Sequence, residues 1–285
     1  MHDFEYEAPV TLNEAVALMA KHNGGVRPMA GGTDLIDQMQ VGRLLPRLVL
    51  DVKKISDLNV LQIDGRGLRV GAAVPCYRVY GDPAIVKRYS ALADSCRIIG
   101  GIQIQSRASI GGNLCNSGPA ADSIPSMIAL SGICTIAGPD GTREVPVESF
   151  CTGPGKNVLR SGELLVDIRL GPHLSHSGSH YRRLTPRNEM DIAVVGVGAA
   201  VQLDASKERF VAARIALAAV APTPLFAEAA GQALVGQRVN EDTILKAVGA
   251  ARKAVTPITD MRGTKAYRIH VTGVLTERVI KAAVA

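Results

Sequence analysis

The feature that most constrains the fold is a pair of glycines between a short apolar strand and an amphipathic helix, in RPMAGGTDLIDQMQV at residues 27–41. Gly31 and Gly32 allow backbone dihedrals and close approaches that a Cβ atom would block. Thr33 or Asp34 can cap the helix that follows. The N–H groups of such a corner bind anions, and the positive end of a helix dipole favours a phosphate there. The segment therefore predicts an anion-binding corner, while a plain strand–turn–helix corner is the alternative.

A second glycine pair lies in QSRASIGGNLCNSGPAADSIP, at residues 105–125. Small residues at 106–121 predict a loop in which a ligand can approach the main chain. Asp122 can accept a hydrogen bond from a sugar or polyol hydroxyl, or cap the helix predicted after it, and the two roles are compatible. Two glycine corners suit a ligand with two phosphates better than a ligand with one. Short polar side chains are supplied by Ser109, Asn113 and Asn116.

Composition narrows the classes of function. A chain of 285 residues with 47% hydrophobic content can bury a substantial core and form two domains. Aromatic residues make up 4% of the chain, Trp is absent, and the Lys and Arg residues are dispersed among acidic ones. This pattern argues against a nucleic-acid partner, which needs stacking rings or a basic patch. The net charge of +6 also suits an anionic small ligand or an acidic protein.

The cysteine pattern indicates free thiols rather than a cluster. Because the five cysteines are widely spaced and form no C-x-x-C motif, the sequence excludes a local zinc or iron–sulfur loop, and we expect no metal site. The sequence has neither a secretory signal nor an apolar run long enough to span a membrane. We therefore expect a cytoplasmic protein without a transmembrane segment.

Apolar periodicity predicts an alternating α/β beginning, in which a capping box of Thr11 and Glu14 starts a helix at 11–22. Residues 61–63 and 68–74 read as a hairpin. The other elements predicted for the first half are a strand at 26–29, a helix after the first glycine pair, a strand at 47–52, one long helix from Pro83 to the pair Gly100 and Gly101, a helix at 123–131, and strands at 133–137, 144–147 and 163–170.

A composition shift at GPHLSHSGSH, residues 171–180, predicts a domain boundary. The predicted domains are 1–175, with subdomains at about 1–55 and 56–172, and 176–285. His173, His176 and His180 fall in this segment, and we interpret them as part of a solvated loop rather than a metal site.

The last third predicts an α+β domain, with strands before helices. The strands are expected at 181–184, 192–203 and 214–220, and the helices near 227–235, 241–255 and 263–283. The apolar face of the last helix is interpreted as packing on the sheet. The stretch VVGVGAAV, at 194–201, imitates a dinucleotide-binding fingerprint, but the third glycine is missing and no βαβ unit follows, so a nicotinamide-binding Rossmann domain is disfavoured.

Four motifs occur in order along the chain: AGGTDL at 30–35, SIGGN at 109–113, GPAAD at 118–122 and DMRGTKAYR at 260–268. They resemble the FAD-binding medium subunit of molybdenum hydroxylases. That family includes the flavoprotein subunits of carbon monoxide, nicotine and quinoline-type dehydrogenases and the central domain of xanthine dehydrogenase. The resemblance covers essentially the whole chain. It implies an α+β fold: a PCMH/vanillyl-alcohol-oxidase-type FAD-binding domain of two subdomains, followed by a CO-dehydrogenase-flavoprotein-like domain with a small antiparallel sheet and helices.

The resemblance also implies the cofactor site, in which both glycine corners cradle the FAD pyrophosphate through backbone N–H groups and Asp122 binds a cofactor hydroxyl. Arg183 falls where relatives carry a cofactor-contacting Lys. Ile99 and Ile102 lie near positions that contact the cofactor in relatives, as does one of Leu164 and Leu165. The expected cofactor-binding residues are Met29, Ala30, Gly31, Gly32, Thr33, Asp34, Leu35, Ile102, Ser109, Ile110, Gly111, Gly112, Asn113, Asp122, Leu165, Arg183 and Ile192.

The same resemblance bears on the substrate. Ile192 aligns with a residue that covers one isoalloxazine face, where the carbon monoxide enzymes have Tyr and xanthine dehydrogenase-like proteins have Ile. This difference puts a carbon monoxide substrate in doubt. The benzoyl-CoA reductase branch is also disfavoured, because it carries a cysteine-bearing loop after the second glycine motif and this chain has only Cys115 there.

The function implied is that of a FAD electron-transfer subunit, without a catalytic residue of its own, in a heterotrimeric molybdenum hydroxylase. A large molybdopterin subunit would oxidise the substrate, and two [2Fe-2S] clusters in a small subunit would pass electrons to FAD and on to an external acceptor. A dimer of heterotrimers is expected from the family. The alternatives are a stand-alone FAD-dependent oxidoreductase of the same fold and a non-catalytic nucleotide-binding module.

Overall fold

The computed structural model describes residues 2–22 and 24–285. In this part of the chain the helices are α1 Leu12–Lys21, α2 Leu35–Gln40, α3 Cys76–Gly81, α4 Pro83–Arg88, α5 Ser90–Cys96, α6 Ile102–Gln105, α7 Ile110–Asn116, α8 Ser123–Ala129, α9 Glu228–Gln232, α10 Glu241–Ala254 and α11 Lys265–Val284. The strands are β1 Glu5–Glu7, β2 Val26–Met29, β3 Leu48–Asp51, β4 Leu61–Asp64, β5 Gly67–Gly71, β6 Ile133–Gly138, β7 Gly141–Pro146, β8 Cys151–Gly153, β9 Lys156–Asn157, β10 Leu164–Leu170, β11 Ser177–Leu184, β12 Val195–Leu203, β13 Phe210–Ala218 and β14 Leu225–Phe226.

The chain begins with a small parallel sheet in the order β1-β3-β2. All four residues of the central strand β3 are buried, as expected for a parallel strand covered on both faces. The capping box of Thr11 and Glu14 that the sequence predicts is present at the start of α1, which buries Ala15 and Met19. At its carboxyl end β2 leads directly into the first glycine pair, so this lobe positions that corner.

A five-stranded antiparallel sheet follows, in the order β4-β5-β10-β6-β7. The predicted hairpin of β4 and β5 is confirmed, with Leu61 opposite Val70. Leu68, Val70 and Ile168 are fully buried and share one hydrophobic core with residues of the first lobe, including Leu48. The parallel lobe and this antiparallel sheet therefore pack around a common core.

The expected long helix from Pro83 to Gly100 is wrong, because two shorter helices, α4 and α5, meet at Tyr89. Tyr89 has φ −130° and ψ 47°, which are not helical values. Its ring is 2% exposed, and its hydroxyl donates a hydrogen bond to the carbonyl oxygen of Gly171 at 3.0 Å. A tertiary contact therefore breaks a helix whose apolar periodicity continues unbroken through the sequence.

The expected small-residue loop after the second glycine pair is also wrong in part, because residues 110–116 form the helix α7. Ser109 caps this helix, since its Oγ accepts a hydrogen bond from the N–H of Gly112 at 3.0 Å. Gly111 lies so close to the backbone of Ala72 that an added Cβ would overlap it. The cap and this packing stabilise a helical turn that the glycines alone disfavour.

The last third forms an antiparallel sheet in the order β11-β12-β13-β14. The long helix α11 packs on β11 and β12 and against α10, as its apolar face predicts. Helices α5 and α8 contact strands of the same sheet, so the sheet has helices on both faces. Val195, Val197, Leu217 and Val279 belong to a second hydrophobic core. The predicted α+β fold is confirmed.

The expected solvated loop at 171–180 is shorter than predicted, because strand β11 begins at Ser177. His173 and His176 are exposed, whereas the Nδ1 atom of His180 lies 2.7 Å from the Oδ2 atom of Asp94. Pairing of this segment with β12 explains the difference. Within residues 2–22 and 24–285, no three His, Cys, Asp or Glu side chains group as metal ligands. No helix in the same ranges has the length and apolarity needed to cross a membrane.

Candidate functional site

A cavity of about 980 Å³ lies where β2, α2, α7 and β10 meet two segments of the last third of the chain. Its volume is at the upper end of the range typical of small-molecule sites, so it has room for a large cofactor. The sequence-predicted residues that line it are Met29, Ala30, Gly31, Gly32, Thr33, Asp34, Leu35, Ser109, Gly111, Gly112, Asn113, Leu165 and Ile192. The two glycine corners, whose nearest members Gly32 and Gly111 are 79 positions apart in the sequence, thus face one cavity.

The first corner presents unpaired main-chain donors. Gly32 has φ +76°, in the left-handed region that favours glycine, and this turns the chain from β2 into α2. Asp34 precedes α2 but its side chain makes no capping hydrogen bond. Among the described residues, the N–H groups of Thr33, Asp34 and Leu35 have no acceptor. Successive free N–H groups of this kind form a concave site for an anion.

The four glycines of the two corners have different roles. A Cβ at Gly31 would overlap the main chain of Arg107, and one at Gly111 would overlap Ala72, so both glycines allow close backbone packing. A Cβ at Gly112 would meet only the Oγ atom of Ser109, at 3.2 Å. Gly112 therefore has open space in front of it, and that space belongs to the cavity.

Asn113 contributes a side-chain donor beside the second corner. Its Oδ1 atom accepts hydrogen bonds from the Oγ–H of Ser123 at 2.7 Å and from the Ser123 N–H at 3.3 Å. This fixes the amide and leaves its NH₂ group available to a ligand.

The charged residues that line the cavity are Arg27, Asp34, Arg160, Glu163, Arg187, Asp191 and Arg262. Hydrogen bonds from Arg143, two of them at 2.7 Å, lower the pKa of Glu163 and neutralise that carboxylate. Burial raises the pKa of Asp34, and the nearby charge of Asp37 raises it further. The cavity therefore has more basic than unpaired acidic side chains, which suits an anionic ligand.

Asp122 and Arg183 lie outside the cavity lining and pair with each other. The Nη1 of Arg183 donates to Asp122 Oδ2 at 2.6 Å, and the Tyr181 hydroxyl donates to Asp122 Oδ1 at 2.8 Å. Burial raises the pKa of Asp122 to about 6, with Arg183 opposing the shift. The side chain makes no capping bond to α8, so the N-cap alternative is wrong.

The Arg183 guanidinium remains incompletely satisfied. Its side chain is 6% exposed, and its buried Nη2 atom has no hydrogen-bond partner among the described residues. A buried donor without an acceptor is costly, so this position is suited to an acceptor supplied by a ligand.

Two other predicted residues also lie outside the lining. Ile102 is 76% exposed, while its neighbours Ile99 and Ile104 line the cavity instead. Ile110 is buried in the core, 1% exposed.

Sequence reasoning missed several lining residues: Gln38, Gly155, Asn157, Leu159, Arg160, Gly162, Arg187, Met190, Asp191 and Arg262. Arg262 belongs to the DMRGTKAYR motif, and this motif is the sequence signal that could have pointed to it. The residues at 155–162 follow no motif, because the pairing of β8 with β9 and the run into β10 bring them to the cavity.

Comparison with known proteins agrees with this geometry. The model of the FAD binding domain in molybdopterin dehydrogenase matches residues 2–173, and that of the CO dehydrogenase flavoprotein C-terminal domain matches residues 180–283. The xanthine dehydrogenase FAD-binding subunit of Escherichia coli O157:H7 is 32% identical over 100% of this chain and 98% of its own length. The carbon monoxide dehydrogenase medium chain of Afipia carboxidovorans is 32% identical over 98% and 96%.

Solved structures give the same result. Carbon monoxide dehydrogenase from Hydrogenophaga pseudoflava superposes with a TM-score of 0.94 at 29% identity, covering 99% of this chain and 97% of that chain. Quinoline 2-oxidoreductase from Pseudomonas putida 86 gives a TM-score of 0.89 at 29% identity, with 99% and 97% covered. The resemblance carried by the four sequence motifs is confirmed: the chain belongs to the family of FAD-binding flavoprotein subunits of molybdenum-containing dehydrogenases.

Proposed function

We propose that this chain binds FAD in the 980 Å³ cavity and passes electrons from the iron–sulfur clusters of a partner subunit through FAD to an external acceptor. The observation that carries this proposal is the convergence of both glycine corners on one cavity in a member of this family. The protein supplies binding, orientation and exclusion of water, and FAD supplies the capacity to take up and release electrons.

The pyrophosphate of FAD is assigned to the two corners. Three free N–H groups at Thr33, Asp34 and Leu35 and the open face of Gly112 support this assignment. A diphosphate needs donors on two sides, and the backbone contact between Gly31 and Arg107 holds the corners next to each other. Asn113 adds its amide donor.

Asp122 and Arg183 are assigned to polar groups of the cofactor that reach behind the cavity wall. The unpaired Nη2 of Arg183 suits a carbonyl oxygen, and Asp122 has lone pairs left for a hydroxyl. Leu165 and Ile192 supply apolar contact, and Ile192 is 51% exposed, which suits a residue that covers a ring. Ile110 is assigned through its main chain, whereas Ile102 lies outside the cavity lining.

The proposed partners are a large molybdopterin subunit and a small subunit with two [2Fe-2S] clusters, assembled as a dimer of heterotrimers. The relatives named medium chain support a multi-subunit enzyme. Large apolar side chains on the surface support covered interfaces, since Met261 is 93%, Ile102 is 76% and Ile258 is 68% exposed. We also propose a domain border near residue 175, between the two matched family regions.

The proposed class of substrate rests on the residue type at position 192. Since the carbon monoxide enzymes are expected to have Tyr at this position, Ile192 favours a xanthine dehydrogenase-like organic substrate over carbon monoxide.

Purification of the tagged chain from its native host, with analysis of co-purifying metals, tests the proposal. We expect iron, molybdenum and FAD to elute together with the tagged chain and two partner chains, one larger and one smaller than it. A chain that carries FAD but elutes without iron, molybdenum or partners would instead favour a stand-alone oxidoreductase. A chain without FAD would favour the non-catalytic nucleotide-binding module.

A further inference from the structure

The cavity is bordered by an irregular segment, residues 185–192, which we call the strap. It joins the end of β11 at Leu184 to the run into β12, and the Val194 N–H donates to the Leu184 carbonyl at 2.8 Å across its base. The strap carries Arg187, Met190, Asp191 and Ile192 into the cavity lining. It therefore forms a part of the cavity wall that has no regular secondary structure.

The strap is held mostly by itself. The Thr185 hydroxyl donates to the Arg187 carbonyl at 2.7 Å, and the Arg187 guanidinium donates to the Met190 carbonyl. Within the part of the chain that the structure describes, the polar contact of these eight residues with the rest of the protein is one ion pair, from Arg262 Nε to Asp191 Oδ1 at 3.9 Å. The two side chains are 29% and 14% exposed. This distance is longer than a hydrogen bond, so the tie is electrostatic and weak.

The turn that carries Arg262 is, by contrast, held by several hydrogen bonds. Asp260 Oδ1 accepts from the Arg262 N–H at 2.9 Å and from Arg268 Nη2 at 2.7 Å, and Asp260 and Gly263 exchange main-chain hydrogen bonds. The buried Arg268 also donates through Nη1 to the Val194 carbonyl at 2.5 Å. One side chain therefore fixes both the turn of Arg262 and the base of the strap.

From this arrangement we propose that Arg262 is a positioning residue, a latch that holds the strap and Ile192 over the bound cofactor through Asp191. The inference rests on the proposed binding of FAD in this cavity. Because the turn that carries Arg262 is anchored and the strap is loosely held, the strap is the part that opens. The Asp191–Arg262 pair then sets how fast FAD leaves and how easily small solutes reach it.

The test compares single and reciprocal charge changes in the FAD-loaded chain. Asp191→Ala and Arg262→Ala should each release FAD about two- to fivefold faster, as expected for loss of a partly exposed ion pair. The reversed pair Asp191→Arg with Arg262→Asp should restore the wild-type release rate, while each reversal alone should not. Release is followed by ultrafiltration and flavin fluorescence, and access by quenching of bound flavin with acrylamide, whose neutrality avoids charge effects.

Two controls separate the latch from general stability. Lys281→Ala removes an exposed ion-pair partner on α11, 2.7 Å from Glu277, and should leave FAD release unchanged. Arg262→Lys keeps the charge and should retain most of the wild-type rate, which a purely structural loss would not predict. Equal release rates in the wild type and both alanine variants, or failure of the reversed pair to rescue, would refute the latch while leaving FAD binding established. A wild-type chain that binds no FAD would overturn the proposed function and the latch together.

Discussion

Among the glycines of the two corners, Gly31 and Gly111 are needed for backbone packing, whereas Gly112 faces open space. Gly112→Ala therefore tests ligand binding with little effect on the fold. The added Cβ meets only Ser109 Oγ at 3.2 Å, and residue 112 lies in the first turn of a helix. Ser109 Oγ must shift by a few tenths of an ångström to accept the methyl group. Because alanine is favoured over glycine in helices by roughly 0.5–1 kcal/mol, which offsets this shift, the apo chain should change little in stability. The methyl group, however, lies in the space that the proposed pyrophosphate needs in order to reach main-chain donors.

Overpacking of this kind costs about 1–3 kcal/mol, which corresponds to a rise in the Kd for FAD of roughly 5- to 150-fold. Titration of apo protein with FAD, followed by flavin fluorescence, gives the Kd, and thermal unfolding gives the stability. Gly249→Ala is the matched control, because it adds a methyl group in open space on helix α10, away from the cavity. A wild-type Kd in Gly112→Ala would refute the assignment of the second corner to the pyrophosphate.

Three further outcomes are expected. Asp34→Asn should tighten FAD binding by at most about fivefold, since it removes a negative charge that costs about 1 kcal/mol beside a phosphate in water; weaker binding in the Kd titration would contradict this. The folded-state pKa of Asp122, raised to about 6 from 3.8, makes its stabilising contribution complete below pH 4 and lost as pH rises through 6. Denaturant unfolding of the apo chain should therefore show wild type losing up to about 3 kcal/mol relative to Asp122→Asn between pH 4 and 7, and parallel pH profiles would show that the carboxyl is not perturbed. Tyr89→Phe should lower the free energy of unfolding by about 1 kcal/mol through loss of the bond to the Gly171 carbonyl, and an unchanged denaturant midpoint would argue against that contact.

Features with a local cause could be predicted from the sequence. The capping box at Thr11, the hairpin of β4 and β5, and the apolar face of α11 depend on residues near each other in the chain, and the structure contains all three. The glycine corners belong to the same class, because a glycine pair between a strand and a helix limits the backbone directly.

Features with a distant cause could not be predicted. The break at Tyr89 depends on Gly171, 82 positions away, and the pairing of Asp122 with Arg183 joins residues 61 positions apart. The helix α7 forms despite its two glycines because Ser109 caps it and Ala72 packs on it. The sequence places Arg262 in a motif but does not predict that it lines the cavity. Its position there depends on the buried Arg268, which holds the turn through Asp260.

The most direct test of the account is the visible absorption spectrum of the purified chain, with the released cofactor identified by mass. We expect flavin bands and FAD in about a one-to-one ratio with the chain, because the fold and the cavity both serve one cofactor. A colourless protein that also fails to bind added FAD would contradict the account and would return both glycine corners to ordinary turns.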